Sequence, residues 1–284
     1  MQSKLFSVNK TLNIQGRLID LSVPKVMGIL NVTPDSFFDG NRYQSPISIL
    51  NQAEKMLVEG ADFIDVGGYS SRPDATDISI DEEIQRVIPA IEVMTKQFPE
   101  AIISIDTFRS HVAKRAIEAG ASLVNDISAG ELDKEMVPTV ATLKVPFLAM
   151  HMKGTPQTMK QQTHYQDLLL EVVTYFHEKI SQLHKAGIKD VLIDPGFGFA
   201  KTIEQNFELL SHLDYLLAIG KPLVVGLSRK SMIWRTLDST PEHALNGTTA
   251  LHSIALMKGA SILRAHDVKE AVEVVKLVSM IDSR

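Results

Sequence analysis

The sequence predicts an α/β chain folded as a single-domain (β/α)8 TIM barrel with an N-terminal β-hairpin, and three observations predict it. Its strands read as short apolar runs rather than alternating ones, the pattern of strands buried on both faces and paired in parallel. Between them lie amphipathic segments with helix caps, the crossovers that parallel pairing needs. Apolar run after apolar run ends in a hydrogen-bonding side chain, as at the carboxyl-end rim of a barrel. The alternative is an open doubly wound sheet, but no GxGxxG follows the first barrel strand, which counts against its dinucleotide-binding form.

Taken in order, residues 1–24 form the hairpin, alternating weakly from Leu5 to Val23 around Gly16 and capping one end, and residues 25–284 form the barrel. Val26–Gly40 starts as a strand and breaks at Asn31 into turn residues. Ser45 caps a helix over Pro46–Glu59, with proline at its first position and Gly60 at its end. Ala61–Val66 ends at Gly67-Gly68, and Ser79 with Glu82 makes a capping box for the next helix, which Pro89 should kink. Ala101–Ser104 ends at Asp106 and leads to a helix over Arg109–Ala119. Ser122–Val124 ends at Asn125-Asp126, before a helix near Lys134–Leu143.

Val145–Met150 ends at His151 and a long irregular loop, a length that usually means function. Leu169, Val172, Val173, Phe176, Ile180 and Leu183 share the face of the helix that follows. Asp190–Ile193 ends at Asp194, and Thr202 with Gln205 caps the next helix. Pro222–Val225 runs into Gly226-Leu-Ser-Arg-Lys230, and Ala260–Leu263 into Arg264-Ala-His266, with Asp267 and Glu270 capping the last helix.

The 284-residue chain has 44% hydrophobic and 22% charged residues, ordinary values for a globular protein. Its net charge of −5, without a block of Lys and Arg, argues against nucleic acid or an acidic membrane surface as partner. Cysteine is absent, which excludes disulfides, thiolate metal sites and a cysteine nucleophile. No secretory signal or membrane-spanning apolar stretch is present, so the expected location is cytoplasmic.

The rim residues are Asn31, Gly67, Gly68, Asp106, Asn125, His151, Asp194, Lys230, Arg264 and His266. Singly, an Asp or Asn after a strand is most often a cap or Asx-turn. Together, buried carboxylates, amides and cations converging on one cavity call for a ligand. Asp106, Asn125 and Asp194 suit the edge of a flat, nitrogen-rich heterocycle, where a carboxylate can accept two N–H groups. The bland alternative is that Asp106 and Asp194 only pair with Lys230 or an arginine. Arg264 and His266 lie on one face of a strand end just before a helix, an anion site, and Arg72 could add a cation over it. No HExxH or acidic calcium loop occurs; magnesium held by substrate phosphates and a protein oxygen such as Asn31 would leave little trace. No GxSxG elbow supports serine hydrolysis.

From about Lys25 to the C-terminal helix the chain resembles the dihydropteroate synthase family. The likeness rests on Met27-Gly-Ile-Leu-Asn-Val-Thr-Pro-Asp-Ser-Phe37, Gly67-Gly-Tyr-Ser-Ser-Arg-Pro73, Ser104-Ile-Asp-Thr107, Asn125-Asp126, Asp194-Pro-Gly-Phe-Gly-Phe199, Ser228-Arg-Lys230 and Arg264-Ala-His266. The resemblance implies a transferase that joins 6-hydroxymethyl-7,8-dihydropterin pyrophosphate to p-aminobenzoate in folate biosynthesis, releasing pyrophosphate. It implies that Asp106, Asn125, Met150, Asp194, Lys230 and Arg264 hold the pterin, with Asp106, Lys230 and Arg264 central to catalysis. It assigns Asn31 to Mg2+, and Asn31, Arg72, Arg264 and His266 to the pyrophosphate. It places Thr33, Ser36, Phe37, Ser71, Arg72, Pro73, Phe199, Lys230 and Ser231 around p-aminobenzoate, and implies a homodimer through late helices such as that near His252–Met257.

The sequence departs from the family's Gly-Gly-Glu-Ser-Thr-Arg-Pro-Gly at Tyr69, Ser71 and Asp74, and Ala200 stands where glycine is frequent. Two other readings are a catalytically silent pterin-binding paralogue and the pterin-binding half of a cobalamin methyltransferase. Retention of Asn31, Arg72, Lys230, Arg264 and His266, and the lack of a cobalamin domain in the sequence, favour the synthase.

Overall fold

The computed structural model of the chain describes residues 8–32, 46–70 and 77–282. A hairpin opens it: β1 (Thr11–Ile14) and β2 (Arg17–Asp20) pair antiparallel about a turn in which Gln15 and Gly16 both take positive φ, 51° and 86°. That conformation matches the twist of the flanking strands and suits glycine at the second position.

The remaining strands are β3 (Lys25–Asn31), β4 (Phe63–Gly67), β5 (Ile102–Asp106), β6 (Leu123–Asp126), β7 (Phe147–Met150), β8 (Val191–Asp194), β9 (Val224–Val225) and β10 (Ile262–Ala265). They form a parallel sheet in the order β8-β7-β6-β5-β4-β3-β10-β9. Ile193 of β8 bridges to Leu223 beside β9, its N–H donating to the Pro222 carbonyl at 3.0 Å, and this joins the two ends of the sheet. The barrel, not the open sheet, is therefore the fold.

Crossovers cover the outside: α1 (Pro46–Glu59), α2 (Ile80–Gln97), α3 (Ser110–Glu118), α4 (Met136–Leu143), α5 (Leu168–Lys185), α6 (Ile203–Ser211), α7 (Ser231–Thr236), α8 (Leu245–Met257) and α9 (Val268–Asp282). The pairing of Thr202 and Gln205 is a complete capping box on α6. At α2 only half of the expected box forms. Ser79 accepts from Glu82 N–H, but the Glu82 carboxylate turns to Arg86 one helical turn on. Pro89 lies within α2, which continues through it to Gln97. The Asp267 carboxylate is held on both oxygens by Arg229, and α9 opens on the bond from Ala271 N–H to the Asp267 carbonyl. Ser45 lies outside the described residues.

Two cores divide the interior. Outward-facing strand residues such as Ile64, Val66, Ile103, Ile105, Val124, Ile193 and Leu263 pack under the helices. Inward, Met27, Phe63, Ile102, Leu123, Leu148, Leu192, Val224 and Ile262, one from each barrel strand, form a layer near the amino ends. Leu12, Ile14, Ile19 and Leu21 of the hairpin segment close onto that layer, so the bottom of the barrel is plugged with apolar side chains. Above the plug the same strand faces turn polar. Two residues beyond Phe63 comes Asp65, beyond Ile102 Ser104, beyond Leu123 Asn125, beyond Leu192 Asp194 and beyond Ile262 Arg264. The period of two thus points these polar side chains inward above the plug, Asp65 and Ser104 level with each other and Asn125 one step higher beside Asp106.

Candidate active site

The register sets the site's width. Asn31 pairs with Gly67, Gly67 with Asp106, and Asp106 with Asn125, a lateral row across four strands at the carboxyl ends. Met150 pairs with Asp194 on the opposite side. Arg264 reaches inward from β10. Its Nε donates to Asp65 Oδ2 at 2.6 Å and its Nη2 to Asp106 Oδ2 at 2.6 Å, charge-assisted bonds at short length. Asn125 Nδ2 donates to the same Asp65 oxygen at 2.9 Å. The Asp106–Arg264 pairing weighed from the sequence does form, and it forms at the mouth of the barrel.

Two glycines leave space where side chains would otherwise stand. A β-carbon at Gly67 would lie 3.6 Å from Asn31 Oδ1 and 3.7 Å from Asp106 Oδ2. One at Gly226 would lie 3.7 Å from Asp194 Oδ2, 3.9 Å from Lys230 Nζ and 4.0 Å from Arg264 Cβ. A side chain at either position would stand among these polar groups.

The loop after β8 is built by its glycines. Gly196 has φ +72°, and a β-carbon there would meet the His151 carbonyl oxygen at 2.0 Å, so only glycine fits. Gly196 N–H donates to Asp194 Oδ1 at 2.7 Å. Ala200 also takes positive φ, 49°, a conformation that glycine adopts with less strain. Buried Lys201 ties the loop down through His151 Nδ1 at 3.0 Å and the carbonyls of Gly196 and Phe199 at 3.1 Å each. Lys230 donates to the Phe197 carbonyl and lies 4.8 Å over the Phe199 ring, while Ser231 opens α7 beside it. Met150 packs with Ile127, Met152 and Phe199 as the apolar wall. Ser228 Oγ bonds His266 Nδ1 at 3.0 Å and accepts from His266 N–H at 3.1 Å.

Burial pushes the Asp106 carboxyl up to about 7, with Arg264 opposing the rise and Asp65 adding to it. Burial likewise raises Asp194 against the pull of Lys230, and lowers Lys230 to about 8. Arg264 is disfavoured by burial too, but Asp65 and Asp106 outweigh that and hold its pKa above the usual arginine value. Perturbed groups of both signs gathered in one cleft mark a functional site.

Asp106, Asn125, Asp194, Lys230, Arg264 and Met150 surround the mouth, with Asn31 at the end of β3 and His266 just past β10. Thr33, Ser36, Phe37, Ser71, Arg72 and Pro73, and Asp74 with them, lie outside the described residues. Sequence reasoning missed Asp65, which is fully buried and linked to two site residues. It also passed over Lys201. The signal for Asp65 was a carboxylate two residues before Gly67 inside an apolar strand, in phase with the rim. Among the described residues no group of three or more His, Cys, Asp or Glu side chains forms a metal cage.

Comparison with known proteins agrees with this geometry. Residues 27–266 match the family of pterin binding enzymes. The dihydropteroate synthase of Escherichia coli strain K12 is 44% identical over 266 residues, covering 93% of this chain and 94% of the relative. This chain belongs to the dihydropteroate synthase family. A Yersinia pestis dihydropteroate synthase solved with a sulfonamide drug superposes with a TM-score of 0.91 at 40% identity, covering 96% of this chain and 99% of that one. A Xanthomonas albilineans dihydropteroate synthase solved in complex with 7,8-dihydropteroate gives 0.87 at 36% identity, covering 96% and 99%. Family membership settles the choice of fold and agrees with the ligand type inferred from the rim.

Proposed function

We infer that this chain is a transferase of folate biosynthesis that condenses 6-hydroxymethyl-7,8-dihydropterin pyrophosphate with p-aminobenzoate, giving 7,8-dihydropteroate and pyrophosphate. The observation that carries the reading is Arg264, held between Asp65 and Asp106 above a plugged barrel, with Asn125, Asp194 and Lys230 around the same space. The relatives' ligands, which include 4-aminobenzoic acid and 7,8-dihydropteroate, are the amine substrate and the product of this reaction.

The chemistry follows from charge. The bond between the exocyclic methylene carbon and the pyrophosphate oxygen breaks, and its electron pair leaves with the pyrophosphate. The amine nitrogen forms the new bond to that carbon and gives up a proton. Positive charge builds on the methylene and spreads into the heterocycle, where ionised Asp106 favours it and Asp194 and Asn125 hold the ring edge. Arg264 and His266 face the departing anion, and Arg72 joins them by family resemblance. Lys230 and Phe199 position the amine, which is itself nucleophilic near neutrality, so no covalent protein nucleophile is required.

We assign Mg2+ to Asn31 and the substrate's diphosphate oxygens. A hard cation suits one amide oxygen plus phosphates better than a protein cage, and it would neutralise charge on the leaving group. No helix among the described residues is long and apolar enough to cross a membrane. The cytoplasm is the proposed location, and small molecules rather than nucleic acid are the proposed partners. The proposed assembly is a homodimer through α8 and α9, which expose Ile254, Met257, Leu277, Met280 and Ile281.

The test is pyrophosphate release from the pterin pyrophosphate with magnesium, with and without p-aminobenzoate. Formation of dihydropteroate only with the amine establishes the reading. Tight pterin binding without turnover overturns it in favour of a silent binding protein.

A further inference from the structure

Asp65 has no exposed surface and stands one layer below the mouth, level in register with Ser104 of β5. Its Oδ2 accepts from both Arg264 Nε and Asn125 Nδ2, residues of two other strands. Its Oδ1, like Ser104 Oγ, has no hydrogen-bond partner among the described residues. A carboxylate bonded in this way only accepts, so the Asn125 amide must turn its NH2 toward it. The Asn125 carbonyl oxygen is then left as the group presented to a ligand. Arg264 is gripped on two edges, Nε by Asp65 and Nη2 by Asp106, which fixes the plane of its guanidinium. Asp65 is thus a second carboxylate on Arg264 beside Asp106, and it is shared with the Asn125 amide.

We infer that Asp65 is a positioning and specificity-determining residue: it makes Asn125 a hydrogen-bond acceptor toward the bound heterocycle and locks Arg264 in line with Asp106. The ligand class this selects is a heterocycle that offers an N–H donor at Asn125. The inference rests on the assignment of the barrel mouth as the pterin pyrophosphate site.

Asp65 also acts on Asp106 through charge. The charged groups that act on Asp106 are Arg264 from β10, Asp65 from β4, Glu83 from α2, Asp126 from β6 and Lys230 beyond β9. Removing the Asp65 charge removes a like charge and leaves Arg264 more fully to Asp106. Ionised Asp106 then persists to lower pH.

The experiment compares wild type, Asp65→Asn and Asp65→Ala in pyrophosphate release across pH, with each substrate varied and the melting temperature recorded. Asp65→Asn keeps one oxygen for both donors and loses the charge; Asp65→Ala loses both. The expected result for Asp65→Ala is a fall of about 10- to 100-fold in kcat/KM for the pterin substrate, the worth of a charged hydrogen bond. Its KM for p-aminobenzoate should stay near wild type. Asp65→Asn should recover much of the loss while its acidic limb moves to lower pH. An unmoved acidic limb in Asp65→Asn overturns the inference, as does wild-type kcat/KM in Asp65→Ala. If Asp65→Ala does not fold, the pH profile of Asp65→Asn decides alone. Failure of the wild type to turn over strikes the assigned reaction rather than Asp65.

Discussion

Arg264 and Asp106 are 158 residues apart in the chain and 2.6 Å apart in space. One lies at the end of the last strand and the other at the end of the third barrel strand, and they meet because the last strand pairs with the first barrel strand, which leaves two strands between it and β5.

Replacing Arg264 by alanine is expected to lower kcat for pyrophosphate release by about 10²- to 10³-fold, the scale for losing one preorganised group at a developing anion. Arg264→Lys should recover only part, since an ammonium cannot engage Asp65 and Asp106 from two edges at once. Steady-state assays of the two variants side by side check this.

The buried carboxyls give stability a pH dependence of definite sign. Asp106 is raised to about 7 and Asp126 to about 6, chiefly by burial, so the folded protein binds more protons than the unfolded chain above the ordinary aspartate pKa of about 4. Their contribution is complete below that value and is lost as pH rises through 6 and 7. Melting temperatures at constant ionic strength should therefore decline from pH 5 to pH 7.5, and less steeply in Asp106→Asn.

Gly196→Ala is expected to destabilise by about 3 kcal/mol or more, because positive φ and a backbone clash coincide. Denaturant unfolding measures the loss, and binding of the pterin substrate should weaken with it as the loop carrying Phe199 shifts.

Phe63→Ala, in the plug, should cost about 3–5 kcal/mol in unfolding free energy while the KM of the surviving folded protein stays near wild type. An equal loss in both would mean the plug shapes the site.

Leu277→Asp should shift the assembly toward monomer in sedimentation velocity, since a charge would be set in the exposed apolar face of α8 and α9.

Much of this was legible in the sequence because strands buried on both faces must be apolar, and a polar residue ending such a strand has little choice of position. Asn31, Asp106, Asn125, Asp194 and Arg264 were readable on that ground, as was the Thr202–Gln205 box. Asp65 was not, because it sits inside an apolar run, where only the period of two betrays it. The half-formed box at Ser79 reflects competition: Glu82 has Arg86 within reach one turn away. The strand read as Pro222–Val225 is a strand only over Val224 and Val225, and the short α7 that follows was not read at all. Tyr69, one of the departures named above, accepts from Gln157 at 2.9 Å and lies under the Arg109 guanidinium.

Among the described residues the hairpin closes the lower end with apolar side chains, so the polar layer faces the carboxyl ends of the strands. The floor of the polar layer is therefore laid at the end farthest from the chemistry, by Leu12, Ile14, Ile19 and Leu21.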